Sequence, residues 1–537
     1  MDFCLLQPAG RTPATSIFLF IALVLAFRAT PVQATTYALG ATALMEGPTA
    51  ESDSVVLAAS PKTAMWTATT NAPWLHLSAA NRSGVGSTNI IFSYDANPGA
   101  TRNGTLTIAG LTLTIIQAGS TYVAASLPPT VLVSLPLHAP TGVAVSSQGK
   151  VYIADTDNNM IRKWTATNNT VTTVVSAGLS SPAGVAVDGA GNVYIADSGN
   201  NAIKKWVATN STVTTLISAG LNDPFGVAVD GAGNVYIADT LNNAVKKWLV
   251  ASNTVTTLVS NGLNHPFAVA VDGASNVYIA DYGTNAIKEW TGPSNSVLTV
   301  VSNGLSSPAG VAVDGAGNVY IADSGNNAIK KWTAASNAVT TLVSSGLSYP
   351  ADVAVDGAGN VYVADALNNA IKELPRAFVD PTAKSEGAAA SGDALPVVLP
   401  ATENLFTPFA PTSDQPWLTI SGVTNGVVSF AFSSSAGANR TANIILLGQT
   451  IPITQTTGAI IPPTLAGATL LGNGLFQFAF SNNQGASFTV LSATNLSLPL
   501  ANWTVVGAPT NISPDMFQFT APVSTNDSQL FYRVRSP

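Results

Sequence analysis

Gly184-Val-Ala-Val-Asp-Gly-Ala-Gly-Asn-Val-Tyr-Ile-Ala-Asp-Ser-Gly-Asn-Asn-Ala-Ile-Lys-Lys-Trp206 is one copy of a unit found six times at a spacing of 42 residues. Asp155, Asp197, Asp239, Asp281, Asp323 and Asp365 mark the interval. Gly-Val-Ala-Val alternates as a short strand, and Asp-Gly-Ala-Gly-Asn supplies the positive-φ positions of a hairpin turn. Asn-Val-Tyr-Ile-Ala-Asp alternates again as a second strand. The turn Ser-Gly-Asn-Asn then leads into a third, Ala-Ile-Lys-Lys-Trp. A Thr- and Val-rich run such as 212–217 makes a fourth, and a Gly-Leu-x-x-Pro segment connects to the next unit. Four antiparallel strands in about 40 residues match one propeller blade, so the period predicts six blades.

The ends of the array predict how the ring closes. The sixth unit stops at Leu374 with no fourth strand behind it, while Thr130-Val-Leu-Val-Ser134 stands ahead of the first unit. That early strand is expected to complete the last blade, which removes the sheet edges an open array would expose.

Written as Pro-x-Gly-Val-Ala-Val-Asp…Gly-Asn-Val-Tyr-Ile-Ala-Asp-x-x-Asn-Asn-x-Ile-x-x-Trp, the unit resembles the NHL repeat family from Thr130 to Leu374. The resemblance implies a six-bladed propeller over 130–374. Because the family includes binding platforms, sensor domains and a few lyases, it implies no single function.

Two flanking segments, 35–120 and 378–458, share a skeleton. Trp66 to Trp74 and Phe409 to Trp417 are both separated by eight, and Arg102 to Gln117 and Arg440 to Gln455 by fifteen. Both resemble the BACON domain, the second copy being the more divergent. The resemblance implies immunoglobulin-like sandwiches and an accessory role in carbohydrate binding. Segment 466–537 carries runs such as Leu475-Phe-Gln-Phe-Ala-Phe480 and reads as a terminal β-sandwich. The predicted fold class is all-β throughout.

At the N-terminus, Arg11, the apolar run Ile17 to Phe27 and Val32-Gln33-Ala34 predict a signal peptide over 1–34. The apolar run is shorter than the ~20 residues that span a bilayer. The expected location is therefore secreted, extracellular or at the cell surface, without membrane insertion. Cys4, the single cysteine, lies in that segment, which leaves no disulfide scaffold and no thiolate ligand behind it. With 9% charged residues and a net charge of −7, nothing draws the chain to nucleic acid.

The six marker aspartates invite a calcium reading. Asp-x-x-Asn is also a turn former whose carboxylate accepts backbone N–H bonds, and that structural reading is preferred. Trp164, Trp206, Trp248, Trp290 and Trp332 recur once per blade and are expected to pack between sheets. The basic pairs from Arg162-Lys163 to Lys330-Lys331 are read as a solvated belt. Three histidines, His76, His138 and His265, offer no zinc set. No catalytic residue, metal or cofactor is assigned.

Positions where the copies disagree are free to serve a ligand. They cluster at the Leu-x-x-Pro-x-Gly connection and the second turn, which are expected on one face of the disc. There the chain offers Asp223, Phe225, His265, Phe267, Tyr282, Tyr349 and Asp352. Aromatics in adjacent blades, beside Asp and His, suggest stacking and hydrogen bonding to an extracellular glycan or protein ligand. The expected function is a secreted, non-enzymatic binding or scaffold protein. A lyase or hydrolase at the channel mouth, or a structural adhesion component, are the alternatives.

Overall fold

The computed structural model describes residues 34–292, 294–435, 439–456, 464–472, 474–481, 488–513, 516–523 and 529–535. The predicted signal segment lies outside them, Ala34 excepted.

Six four-stranded sheets form a closed propeller. Blades 1 to 5 begin at Pro140, Pro182, Pro224, Pro266 and Pro308, and each runs through four consecutive antiparallel strands. Blade 6 takes Pro350–Val355, Val361–Asp365 and Ala370–Leu374 from the end of the array. Its fourth strand is Thr130–Val133, paired Thr130 to Glu373 and Val131 to Lys372. Each innermost strand abuts the next, and that of blade 6 abuts that of blade 1.

Burial peaks at the second strand of each blade and falls toward the rim. The second strand, Val-Tyr-Ile-Ala-Asp, is buried at every position because a blade lies against each of its faces. The fourth strand is exposed over most of its length, and its Thr-rich sequence suits that edge. Tryptophans weld the seams: Trp206 of blade 2 meets Tyr152 of blade 1 with ring centroids 6.4 Å apart. Trp248 likewise joins the core of blade 2.

The alternation of turns gives the disc two distinct faces. The lower face carries the Asp-Gly-Ala-Gly-Asn hairpins and the turns between third and fourth strands. The upper face carries the Asp-x-x-Asn-Asn turns and the Gly-Leu-x-x-Pro connections.

Residues 36–117 form a four-stranded and a five-stranded sheet about a core that includes Trp66, Phe92 and Leu106. Residues 384–455 form a four-stranded and a three-stranded sheet. Both use one device. Arg102 donates to Gln117 at 2.8 Å and to the Asp95 carbonyl at 2.7 Å, with its guanidinium 4.3 Å over Trp74. Arg440 repeats this with Gln455 at 2.8 Å, the Ser433 carbonyl at 2.7 Å and Trp417 at 4.3 Å. The shared spacing of fifteen is a cross-strand pair in each case. Residues 464–535 make two further sheets around Phe478, Phe480, Phe488, Phe517 and Phe519.

Both sandwiches sit under the lower face. Gly40 lies against Gly315 of the blade 5 hairpin so closely that a Cβ on either would meet the other's carbonyl oxygen within 2.4 Å. Ser54 donates to the Ala316 carbonyl at 2.6 Å. The second sandwich merges its core, including Phe409 and Phe430, with Trp164 of blade 1 and Tyr362 of blade 6. The sandwiches also join each other, through the pairing of Val123–Ala124 with Phe378–Val379 and a 3.0 Å bond from Tyr122 to the Val397 carbonyl.

Candidate functional site

The upper face is built on a polar frame repeated in every blade. In blade 3, Asp239 is fully buried. It accepts the Asn222 backbone N–H at 2.7 Å, the Asn242 amide at 2.8 Å and the Lys246 ammonium at 2.5 Å. The other five aspartates repeat the arrangement, with Arg162 as the cation in blade 1 and Thr284 in the place of the asparagine in blade 4. Every carboxylate is thereby neutralised and saturated, so the ring is structural. This corrects the solvated-belt reading of the basic pairs. The first cation of each pair is half-buried and tied to its buried aspartate, and Lys205 and Lys247 lie over Tyr194 and Tyr236. Sequence shows a cation seven residues after the aspartate but not that the hairpin brings the two together.

The asparagine that ends each turn ties one blade to the next. Asn159, Asn201, Asn243, Asn285 and Asn327 accept the backbone N–H of Ser181, Asp223, His265, Ser307 and Tyr349. Asn369 closes the ring onto Ala139. Those six donor residues all hold φ near +50° without being glycine. Such a conformation is strained by ~1–2 kcal/mol and is held by the bond across the seam. Because the backbone makes the connection, the side chain at this position is free to vary. That freedom explains why Ala, Ser, Asp, His and Tyr all occur there.

The predicted residues separate into three groups. Phe225, Phe267 and Asp352 line one cavity at the mouth of the central channel, together with Thr141 and Ala309. Phe225 and Phe267 stack with centroids 4.8 Å apart, and Phe267 and Tyr282 stack at 4.1 Å. Tyr349 joins this ladder through Tyr282. Burial, with the hydrogen bond to Tyr282, pushes its phenol up to about 12. Asp223 and His265 lie outside the cavity lining. The Asp223 carboxyl is half-buried and raised by that burial alone, while exposed His265 places Nδ1 2.7 Å from Asn264 Oδ1.

The ladder corrects one expectation. Phe225 and Phe267 do not offer two open faces to a sugar, because Phe267 is sandwiched between Phe225 and Tyr282. Only the ladder's outer faces remain. Tyr282 replaces a residue with another duty: Thr156, Ser198, Thr240 and Ser324 donate at that position to the next blade's proline carbonyl at 2.5–2.9 Å. Blade 4 exchanges this seam bond for an aromatic contact.

Asp352 stands where other blades have Gly142, Gly184, Gly226, Ala268 and Gly310. A Cβ at Gly142 would lie 2.2 Å from the Ala183 carbonyl oxygen, which shows how tight this column is. The Asp352 carboxylate accepts the Val143 N–H of blade 1 at 3.0 Å and its neighbour Val353 N–H at 2.9 Å. Burial outweighs those two bonds and pushes its carboxyl up to about 7. The cavity is small, about 60 Å³, against the ~300–1,000 Å³ of a small-molecule pocket. That is room for a few water molecules and no more. A larger ligand is confined to the mouth and the face around it.

Sequence reasoning missed two features. His138 and Asp157 form an exposed pair on the upper face at 2.8 Å, and nothing in the spacing singles them out. A buried group of carboxyls lies beneath blade 6, and its signal is a break in the lysine column of the third strands.

NHL repeats ("NHL repeat") are matched over residues 137–164, 179–206 and 305–332. A BACON domain ("Putative binding domain, N-terminal") is matched over 64–118. The chain thus carries NHL repeats and a BACON domain. No curated relative matches its sequence. Among solved structures, it is similar to a protein of unknown function from Bacteroides thetaiotaomicron. The identity is 18%, over 64% of this chain and 98% of that one, with a TM-score of 0.43. An auxiliary nutrient binding protein from the same organism shows 12% identity over 64% and 96%, with a TM-score of 0.40. Virginiamycin B lyase from Staphylococcus aureus shows 16% identity over 47% and 88%, with a TM-score of 0.37. Likeness at this level carries nothing about ligand or chemistry.

Proposed function

We propose that this chain is an exported, non-catalytic binding protein that presents the upper face of its propeller to an extracellular glycan or protein. One observation carries the reading. The aromatic departures from the repeat, Phe225, Phe267, Tyr282 and Tyr349, gather on the upper face, while the two sandwiches occupy the lower one. The ladder walls one side of the mouth, and small residues such as Thr141 and Ala309 leave the other side low. Asp352 is the charged residue of the cavity lining, which contains no Lys or Arg. A neutral or cationic ligand is therefore favoured over an anionic one.

A glycan array probed with residues 35–537 tests this. Truncating Phe225 and Phe267 to Ala together is expected to weaken binding about tenfold or more, the scale of a lost aromatic anchor. A melting curve confirms that the variant is folded. Turnover of a bound glycan or peptide that is lost on His138→Ala would overturn the non-catalytic reading. N-terminal sequencing of secreted material tests the cleavage expected after Ala34.

A further inference from the structure

At one position of the third strand, five blades carry Lys163, Lys205, Lys247, Glu289 and Lys331, and blade 6 carries Glu373. Each residue pairs across the sheet with a tyrosine, from Tyr152–Lys163 through Tyr362–Glu373. In blades 2 and 3 the lysine meets that tyrosine's hydroxyl and lies 3.6–3.7 Å from the hairpin aspartate, Asp188 or Asp230. Blade 6 keeps the aspartate, Asp356, and reverses the partner. Glu373 is only 1% exposed. Glu403, from the second sandwich, adds a third carboxyl and is 6% exposed.

No donor meets any of the four oxygens of Glu373 and Glu403 with good geometry. The nearest polar groups, the Tyr362 hydroxyl and the Asn360 amide, are bonded to Asp356 at 3.2 and 3.1 Å. The neighbouring cations point elsewhere. Lys372 is held on Asp365 at 2.7 Å, and Arg376 turns to Glu46 of the first sandwich at 3.7 Å. Among the described residues, no group of three or more His, Cys, Asp or Glu is arranged to hold a metal ion. Two ionised glutamates sealed in an interface with a third carboxylate, and no cation, are strongly unfavourable. Protonation removes that cost.

We propose that Glu373 and Glu403 form a proton-dependent latch, which seats the second sandwich on blade 6 when both are protonated and loosens it as they ionise. The groups facing Glu373 are Tyr362, Asp356 and Glu403, and those facing Glu403 are Glu373, Asp356, Asn360 and Asn404. Burial, reinforced by the neighbouring carboxylates, pushes Glu373 up to about 9 and Glu403 up to about 8. The direction follows from those shifts. The docked form holds protons that the undocked form releases above an ordinary carboxyl value of 4.5. Docking is therefore strongest below that value and weakens as pH rises toward 8 to 9. Each group contributes up to tenfold per pH unit in the docking constant.

The test compares the full chain with Glu373→Gln/Glu403→Gln, which imitates the protonated pair. Hydrogen-exchange protection is measured at Phe378–Val379 and Leu405–Phe409, relative to the first sandwich, from pH 5 to 9. The wild type is expected to lose at least tenfold more relative protection than the double variant. Glu373→Lys, which restores the lysine of the other blades, is expected to keep docking at pH 9. Parallel pH profiles for wild type and double variant would overturn the latch. So would recovery of the wild type at pH 9 by millimolar calcium with no effect on the double variant, because the cluster would then be a cation site.

Discussion

The two faces of the propeller use the same repeat in opposite ways. On the upper face the seams are made by backbone N–H groups and one asparagine per blade, so the side chain beside each bond is released from structural duty. On the lower face the hairpins are themselves contact surfaces. Gly315 and Ala316 touch the first sandwich, and beside the blade 6 hairpin Tyr362 packs into the core of the second. Divergence is therefore tolerated above and directed to docking below. Where a fold assigns a seam to the main chain, variation can accumulate without loss of the ring.

The largest effect in this contrast is expected from removing the polar frame on which the upper face is built. Asp239→Ala strips the buried acceptor from Lys246, Asn242 and the Asn222 N–H. It is expected to cost ~3–5 kcal/mol, the scale of an orphaned buried charge, read as a lower urea midpoint. Gly315→Ala acts on the lower face alone. Its Cβ would lie 2.3 Å from the Gly40 carbonyl oxygen, and an overpacking loss of ~1–3 kcal/mol is expected as early proteolysis between the first sandwich and the propeller. Asn243→Ala removes a single upper seam bond and is expected to cost ~1 kcal/mol in the same urea assay. The smallest effect sharpens the comparison most. Tyr282→Ser restores a hydroxyl that can donate to the Pro308 carbonyl, so stability should hold or rise by ~0.5–1.5 kcal/mol while ligand binding at the mouth falls. A large stability loss there would show that the ladder supports the blade and is no mere addition to it.

The blade count and the closing strand were legible because each blade obeys one strict grammar of alternation and turns. The sixth copy lacks a strand that Thr130–Val133 supplies. The Arg–Gln spacing was legible too, since a separation of fifteen reports one hairpin in both sandwiches. Three things were hidden. The cation at Lys246 and the carboxylate at Asp239 sit on neighbouring strands of one blade, and pattern alone does not say that both point into the same pocket. Phe225 and Phe267 were visible as adjacent-blade aromatics, yet only the fold shows that they face each other and that Phe225 and Tyr282 together cover Phe267. Glu373 was visible as a break in the lysine column, but Glu403 arrives from a separate sandwich thirty residues further along the chain, beyond the reach of local reasoning.

Closing the ring with an early strand has a mechanical consequence. The chain enters the last blade at Thr130 and leaves it after Glu373, its partner, so both connections emerge at the same end of the pair. A pull applied between the two sandwiches would load this clasp as a zipper, opening one hydrogen bond at a time. Just outside it, Val123 and Ala124 are paired with Val379 and Phe378. That short rung takes the tension first, as a stitch placed beyond the end of a zip protects its last tooth.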